Sequence, residues 1–419
     1  MVKEGRKSEK GDNLVAILLA ILLAYLTYLV IQAQLPLTFA DYNGHTYVYL
    51  PLFTEDNWMK GWMAVPYCMW HLGVLALHNI FYIPMNVAAA YMSIVFSMLS
   101  FGIMYWMVLK FTSYENMEIS RAKAAFLAFA LSVSQALYFD WLDAGDRFLG
   151  MFSMNPIHNP TQMAVRPFAL LCLCLVYDIW NKQENDSYTG TFFNTKKGLK
   201  RPYIYLAVAL LLSAMAKPTF AEMFVPAVGI LMLIKWISLL WKKDRGAKGY
   251  FKQCLQMLYC AIPALTFILI AFSAYFIFGG SYGGEGSLVI TKWLEVWKLF
   301  SENVILSIGL GMAFPLFMFL IDSRFFLKDN MGKLALTGYI VSFFEAALLG
   351  EGGGKLDHAD FIWPMMSGMM LMWTASTLHL LKLEKVHGDT RVKRVLIDVA
   401  WVIFCLHVLC GLFYIYALL

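Results

Sequence analysis

The sequence predicts an all-α polytopic membrane protein, and three observations carry that prediction. Hydrophobic residues make up 60% of the chain and charged residues only 15%, far from the composition of a soluble globular domain. Apolar runs of about 20 residues recur, the length an α-helix needs to cross a hydrocarbon core of about 30 Å. Lys and Arg gather in short clusters between these runs, as cytoplasmic loops do. The net charge of +5 reflects that loop bias, so no nucleic-acid partner is inferred.

The N-terminus, MVKEGRKSEKGDN, is basic, and the apolar stretch 13–35 is too long for a signal peptide and lacks a small-residue cleavage site. It is expected to stay as a first span, with the N-terminus in the cytoplasm. Further basic clusters are Lys110, Arg121 and Lys123; Lys196 to Arg201; Lys242 to Lys248; Arg324, Lys328 and Lys333; and Lys382 to Arg394. If each is cytoplasmic, an even number of spans separates neighbours.

Parity decides two stretches. Runs 14–34, 67–83 and 86–109 lie between the first two clusters, and three spans would invert every later loop. The middle run is bracketed by Pro66 and Pro84 and broken by His71 and His78, so it is expected to lie on the outer surface as an interfacial helix. The stretch 202–241 must hold two spans, and its break falls at Ala216-Lys217-Pro218-Thr219, because proline restricts the residue before it and lacks an amide donor. A helix over 203–216 is only about 21 Å long, which puts Lys217 at outer-leaflet depth. The remaining spans are expected near 124–139, 161–180, 254–278, 304–321, 335–350, 364–381 and 395–417, about eleven in all.

The chain thus reads as a single integral membrane domain, 1–419, with no separate soluble domain. Its long first outer loop is 36–85, and its second, 279–303, is expected to carry another interfacial helix at 288–300. The seven cysteines are mostly inside apolar runs and show no metal-type CxxC spacing, so they read as small hydrophobes.

Nearly every unusual polar residue falls on the outer side. Asp41 and His45 follow the first span. The segment 155–167, NPIHNPTQMAVRP, concentrates His158, Asn159, Gln162 and Arg166 at the start of a helix. Asn159 or Thr161 can cap that helix, and a helix N-terminus also favours a phosphate or a sugar hydroxyl. Arg166 and Lys217 are cations at membrane depth, where an ionisable group costs roughly 2.5 to 3.5 kcal/mol and faces a cavity or a partner. Snorkelling, or a structural pair of Lys217 with Glu222, is the alternative to binding a lipid phosphate. The segment 351–363, EGGGKLDHADFIW, brings Glu351, Lys355, His358, Asp360 and Trp363 together. Its His and Asp groups suit contact with sugar and phosphate, with Trp363 as a flat face for a pyranose ring; a divalent Mg or Mn ion is compatible with them but has no diagnostic spacing. The acidic loop holding Asp140, Asp143, Asp146 and Arg147 reads first as a solvated loop, and His379 and His407 read as structural.

This layout resembles the GT-C superfamily of membrane glycosyltransferases. Within it, NPIHNPTQMAVRPF, AKPTF and EGGGKLDHADFIW look like motifs of a bacterial subgroup, which more often carries Arg, Gly and Asn where this chain has Lys355, Ala359 and Asp360. The resemblance implies an inverting enzyme of the bacterial plasma membrane with an extracytoplasmic active site. It takes a polyprenyl-phosphate sugar as donor and a glycan or glycolipid hydroxyl as acceptor, among membrane lipids, with no required cofactor. By the same resemblance, Asp41 is the catalytic base. Arg166, Lys217 and Lys355 are the cations for the donor phosphate. His45, His158, Asn159, Gln162, Glu351, His358, Asp360 and Trp363 contact sugar or acceptor. Two competing classes are a secondary transporter or lipid-linked-substrate flippase, and another envelope glycan polymerase or ligase. A transporter would favour duplicated broken helices at mid-depth, and polymerases and ligases usually need a large late outer loop; neither feature is evident.

Overall fold

A computed structural model describes the chain except residues 1, 55–57, 140, 143, 144, 147, 148, 152, 278–286, 355 and 387–390. The fold is all-α. In chain order the helices are α1 (Val2–Gln34), α2 (Asp41–Asn43), α3 (Leu50–Thr54), α4 (Trp58–Ala64), α5 (Met69–Phe81), α6 (Met85–Tyr114), α7 (Arg121–Val133) and α8 (Pro160–Glu184). They continue with α9 (Lys200–Ala216), α10 (Thr219–Trp241), α11 (Ala247–Ile277), α12 (Val304–Ile321), α13 (Ser323–Lys328), α14 (Asn330–Leu348), α15 (Pro364–Val386) and α16 (Arg391–Leu418). A π-helical turn, Gly44–Tyr49, joins α2 to α3. Among the described residues, eight helices are long and apolar enough to cross a membrane: α1, α6, α8, α10, α11, α12, α14 and α16.

The remaining long helices fall where spans are expected but differ in kind. α9 is 17 residues and ends at the Lys217-Pro218 break, where Pro218 holds Lys217 extended at φ −166° and ψ 136°. α15 is buried over nearly its whole length; its Ser, Thr, Met and Gly content suits close helix packing rather than lipid contact. At Gly368 a β-carbon would meet Ser342 Oγ and sit 3.1 Å from Tyr339 Cα of α14, so glycine eases that close approach. α7 stops at Val133 after 13 residues, short of the expected 139. The chain then runs non-helically, and its amides bond neighbouring helices instead: Gln135 donates to the His407 carbonyl and Leu137 to the Leu310 carbonyl, each at 3.1 Å. Buried irregular backbone is tolerated at membrane depth on that condition. His407 returns a ring-nitrogen contact to the Gln135 carbonyl at 2.7 Å.

α8 lies at the centre, with 89% of its apolar window buried, because Ala164, Ala169, Cys172 and Cys174 let its neighbours close in. α1 faces outward, with only 22% of its window buried.

The helix expected at 288–300 does not form. Leu288–Ile290 is a β-strand, β1, pairing antiparallel with β2 (Leu349–Glu351), with Leu288 opposite Glu351 and Ile290 opposite Leu349. β-Branched Val289, Ile290 and Thr291 favour the extended form, and the strand that completes it is distant in sequence. The following Trp297 turns inward and donates its indole N–H to the Gly150 carbonyl at 2.8 Å. The helix expected over 67–83 does form, as α5, with Trp70, His71 and Val74 on its buried side.

Candidate functional site

The ends of α1, α9 and α14 meet the starts of α8, α10 and α15 around one cavity of about 400 Å³. Asp41 reaches it because the chain turns tightly after α1. Asn43 donates its side-chain amide back to the Leu35 carbonyl at 2.6 Å, and the next ring, Tyr42, is fully buried edge-on to Trp70. A buried aromatic beside a carboxylate fixes where the carboxylate points. His45, one turn on, meets His71 of α5 ring nitrogen to ring nitrogen at 3.0 Å.

Asn159 is the N-cap of α8. Its carbonyl oxygen accepts from the Gln162 amide at 2.8 Å, and Pro160 follows at the first helical position, where its missing N–H costs nothing. The other end of the same side chain donates to Asp41 Oδ2 at 2.9 Å. Gln162 is buried and donates to Thr219 Oγ1 at 3.2 Å, tying the first turns of α8 and α10 together.

Lys217 is the hinge residue between α9 and α10. Its Nζ lies 4.0 Å from the centroid of the Trp363 ring and 5.9 Å from that of Tyr67, and the residue is buried. The Lys217 ammonium therefore rests against the Trp363 ring. Past β2, Gly353 and Gly354 take φ of 73° and 81°, a left-handed turn that only glycine makes freely, and it brings His358 back to 3.8 Å from Glu351. Ala359 holds φ 56°, the conformation for which glycine is suited, and orients Asp360 into the cavity.

Of the residues expected from the sequence, Asp41, His45, Asn159, Lys217, Glu351, His358, Asp360 and Trp363 line this cavity. Arg166 does not: it donates to the Leu131 carbonyl and borders a much smaller space beside Ser97, Ser132 and Asn155. His158 is just behind, its Nδ1 3.2 Å from the Tyr414 hydroxyl. Lys355, Asp140, Asp143 and Arg147 fall outside the described residues, and Asp146 accepts from the Leu149 amide at 2.8 Å in its own loop. Glu222, Tyr49 and Tyr67 line the cavity without having been expected there. The signal for Glu222 was its place in the first turn of α10, beside Lys217.

The cavity's electrostatics follow from the burial of its charged groups. Burial pushes the Asp41 carboxyl above the usual carboxylate range; Lys217 and the Asn159 hydrogen bond oppose that rise, and Asp360 adds to it. Burial lowers the Lys217 ammonium, while Asp360, Asp41 and Glu222 hold it up. His45 falls well below its ordinary value through burial, then through His71 and Lys217; His71 falls to about 3 through burial. Both imidazoles are neutral near pH 7. Among the described residues no three His, Cys, Asp or Glu side chains group to hold a metal ion. Comparison with protein-family models and with curated proteins gives no match.

Proposed function

We propose that the chain is an inverting glycosyltransferase that moves a hexosyl or pentosyl unit from a polyprenyl-phosphate donor to an acceptor hydroxyl on the extracytoplasmic face of a bacterial plasma membrane. The observation that carries this reading is the convergence of Asp41 and Lys217, distant in sequence, on one cavity at the helix ends. The acceptor O–H gives its proton to Asp41 as its oxygen bonds the anomeric carbon. The bond from that carbon to the phosphate oxygen breaks, and the lipid phosphate leaves as an anion beside Lys217. Such a leaving group needs positive charge more than a proton.

With α7, α9 and α15 counted as spans, the eight long apolar helices become eleven. The basic clusters then share the cytoplasmic side and the cavity faces outward, with α5 along the outer interface. Phe39, 86% exposed at the cavity, and Phe272 of α11 offer apolar surface to the lipid part of a donor. Purified Asp41→Asn in liposomes, assayed for release of polyprenyl phosphate from its sugar ester, tests the reading. Release is expected to be lost; release at the wild-type rate overturns the base assignment, and uptake of substrate without donor consumption by wild type points to transport.

A further inference from the structure

Asp41 and His45 are four residues apart on one continuous helical stretch, α2 running into the π-helical turn Gly44–Tyr49, so both meet the cavity from the same face. The far side of the His45 ring is held by His71. His45 Nδ1 lies 3.0 Å from His71 Nε2, and His71 is fully enclosed between the stacked Phe53 ring at 5.6 Å and the perpendicular Trp70 ring at 5.2 Å. Trp70 is itself pinned, its indole N–H donating to Ser93 Oγ at 2.9 Å. The His71 ring has little room to turn toward another partner.

Burial lowers the pKa of both imidazoles, so near pH 7 each carries a single ring proton and the bond between them has two possible forms. If His45 Nδ1 is the donor, His71 keeps its proton on Nδ1, and that nitrogen is buried with no acceptor among the described residues. If His71 Nε2 is the donor, His71 Nδ1 is a bare lone pair and His45 keeps its proton on Nε2. A buried N–H without an acceptor is the rarer defect, so the second form is favoured. His45 Nε2 has no partner among the described residues, and it is not enclosed as His71 Nδ1 is. It meets the cavity that His45 lines.

We propose that His71 is a positioning residue: by donating to Nδ1 it fixes His45 as an uncharged Nε2–H donor in the cavity, and that N–H donates to an oxygen of the lipid phosphate of the sugar donor. The ligand in this statement rests on the sugar-transfer reading; the tautomer does not. A phosphate oxygen only accepts, so a nitrogen locked as donor fits it, whereas a hydroxyl could serve either tautomer. The charge of Lys217 reaches the His45 ring, so ammonium and N–H face one anion, the first supplying charge and the second direction. As the phosphate leaves, charge grows on its oxygens and the hydrogen bond strengthens. His45 keeps its proton throughout.

The test is heteronuclear NMR of the full-length protein in nanodiscs with isotope-labelled histidines. His45 is assigned by the signal lost in His45→Gln, and His71 by its coupling to His45 across the shared proton. In wild type both rings are expected to carry the proton on Nε2; both carrying it on Nδ1 overturns the proposal. Polyprenyl phosphate should shift His45 Nε2 and polyprenol should not. No shift with the phosphate, or an equal shift with both, overturns the phosphate contact. His71→Phe keeps the ring packing and removes the donor, so His45 should populate both tautomers, and release of polyprenyl phosphate should fall by about 10- to 100-fold, as when a partner that orients a ligating imidazole is lost. His71→Gln, whose amide can donate to the same Nδ1, should recover most of that loss. Equal activity of the two variants overturns the positioning role, and the wild-type spectrum decides alone if neither folds. The sugar-transfer reading is judged separately by Asp41→Asn, whose His45 should show the wild-type tautomer whether or not transfer is lost.

Discussion

Asn159 joins Asp41 to α8 through one side chain: its N–H donates to Asp41 Oδ2 at 2.9 Å while its oxygen accepts from the Gln162 amide at 2.8 Å. The two bonds are separable by substitution. Asn159→Ser keeps an N-cap but not the reach to Asp41, whereas Asn159→Ala loses both and should cost about 1 kcal/mol of stability. The bond to Asp41 favours its charged form, so losing it raises a pKa that burial already elevates. Both variants should move the acid limb of the pH–rate profile to higher pH, and only Asn159→Ala should lower the melting temperature. An unmoved acid limb in both would show that Asp41 is not the titrating base.

Lys217 is held by two rings, and its role can be divided from theirs. Lys217→Met removes the cation that the proposed reaction sets beside the leaving phosphate, and turnover should fall by about 10²- to 10³-fold, the loss seen when one stabilising donor of a developing charge is removed. Trp363→Leu leaves the charge but removes its nearest aromatic face, a contact worth about 2 kcal/mol when desolvated. Its loss of turnover should be smaller than that of Lys217→Met, and Trp363→Phe smaller still. If Trp363→Leu matched wild type while Lys217→Met were inactive, the ring would have no part in placing the ammonium.

The raised pKa of Asp41 makes a stability prediction of definite sign. A carboxyl whose folded pKa lies above its ordinary 3.8 binds its proton more tightly in the folded protein. Its contribution to stability is whole below 3.8 and is lost as pH rises through the folded pKa. Asp41→Asn removes that loss. The melting temperature of the variant minus that of wild type should therefore grow as pH rises from the acid range toward neutrality, while transfer activity is absent. A difference independent of pH would mean that folding does not perturb Asp41.

Much of this site was legible in the sequence because proline and glycine act locally. Pro218 alone sets the break at Lys217, and the glycines after Glu351 set the turn that returns His358 and Asp360. Arg166 was not legible: which way a residue points from a helix in the bundle centre depends on packing, and α8 is surrounded on nearly all sides. The strand at 288–290 escaped because its partner lies at 349–351, a pairing that no window of local pattern contains. Trp363 shows the remaining limit. Its contact with the Lys217 ammonium joins residues distant in sequence, and only the fold shows it.

Ala359 allows the loop geometry to be tested through the backbone. At φ 56° an alanine bears a cost of about 1 to 2 kcal/mol that glycine escapes. Replacement by glycine also gives up a buried methyl, worth about 0.8 kcal/mol, and frees the unfolded chain at a cost of about 0.4 to 1 kcal/mol. These terms nearly cancel, so Ala359→Gly should leave the melting temperature close to wild type. Ala359→Val has no such offset. A β-branched side chain is a poor fit to positive φ, and Ala359 is 3% exposed, so the added methyls also overpack, at about 1 to 3 kcal/mol. Thermal unfolding should show Ala359→Val clearly destabilised, with transfer reduced because His358 and Asp360 flank the strained residue. A valine variant as stable as the glycine one would mean that residue 359 does not adopt the left-handed conformation.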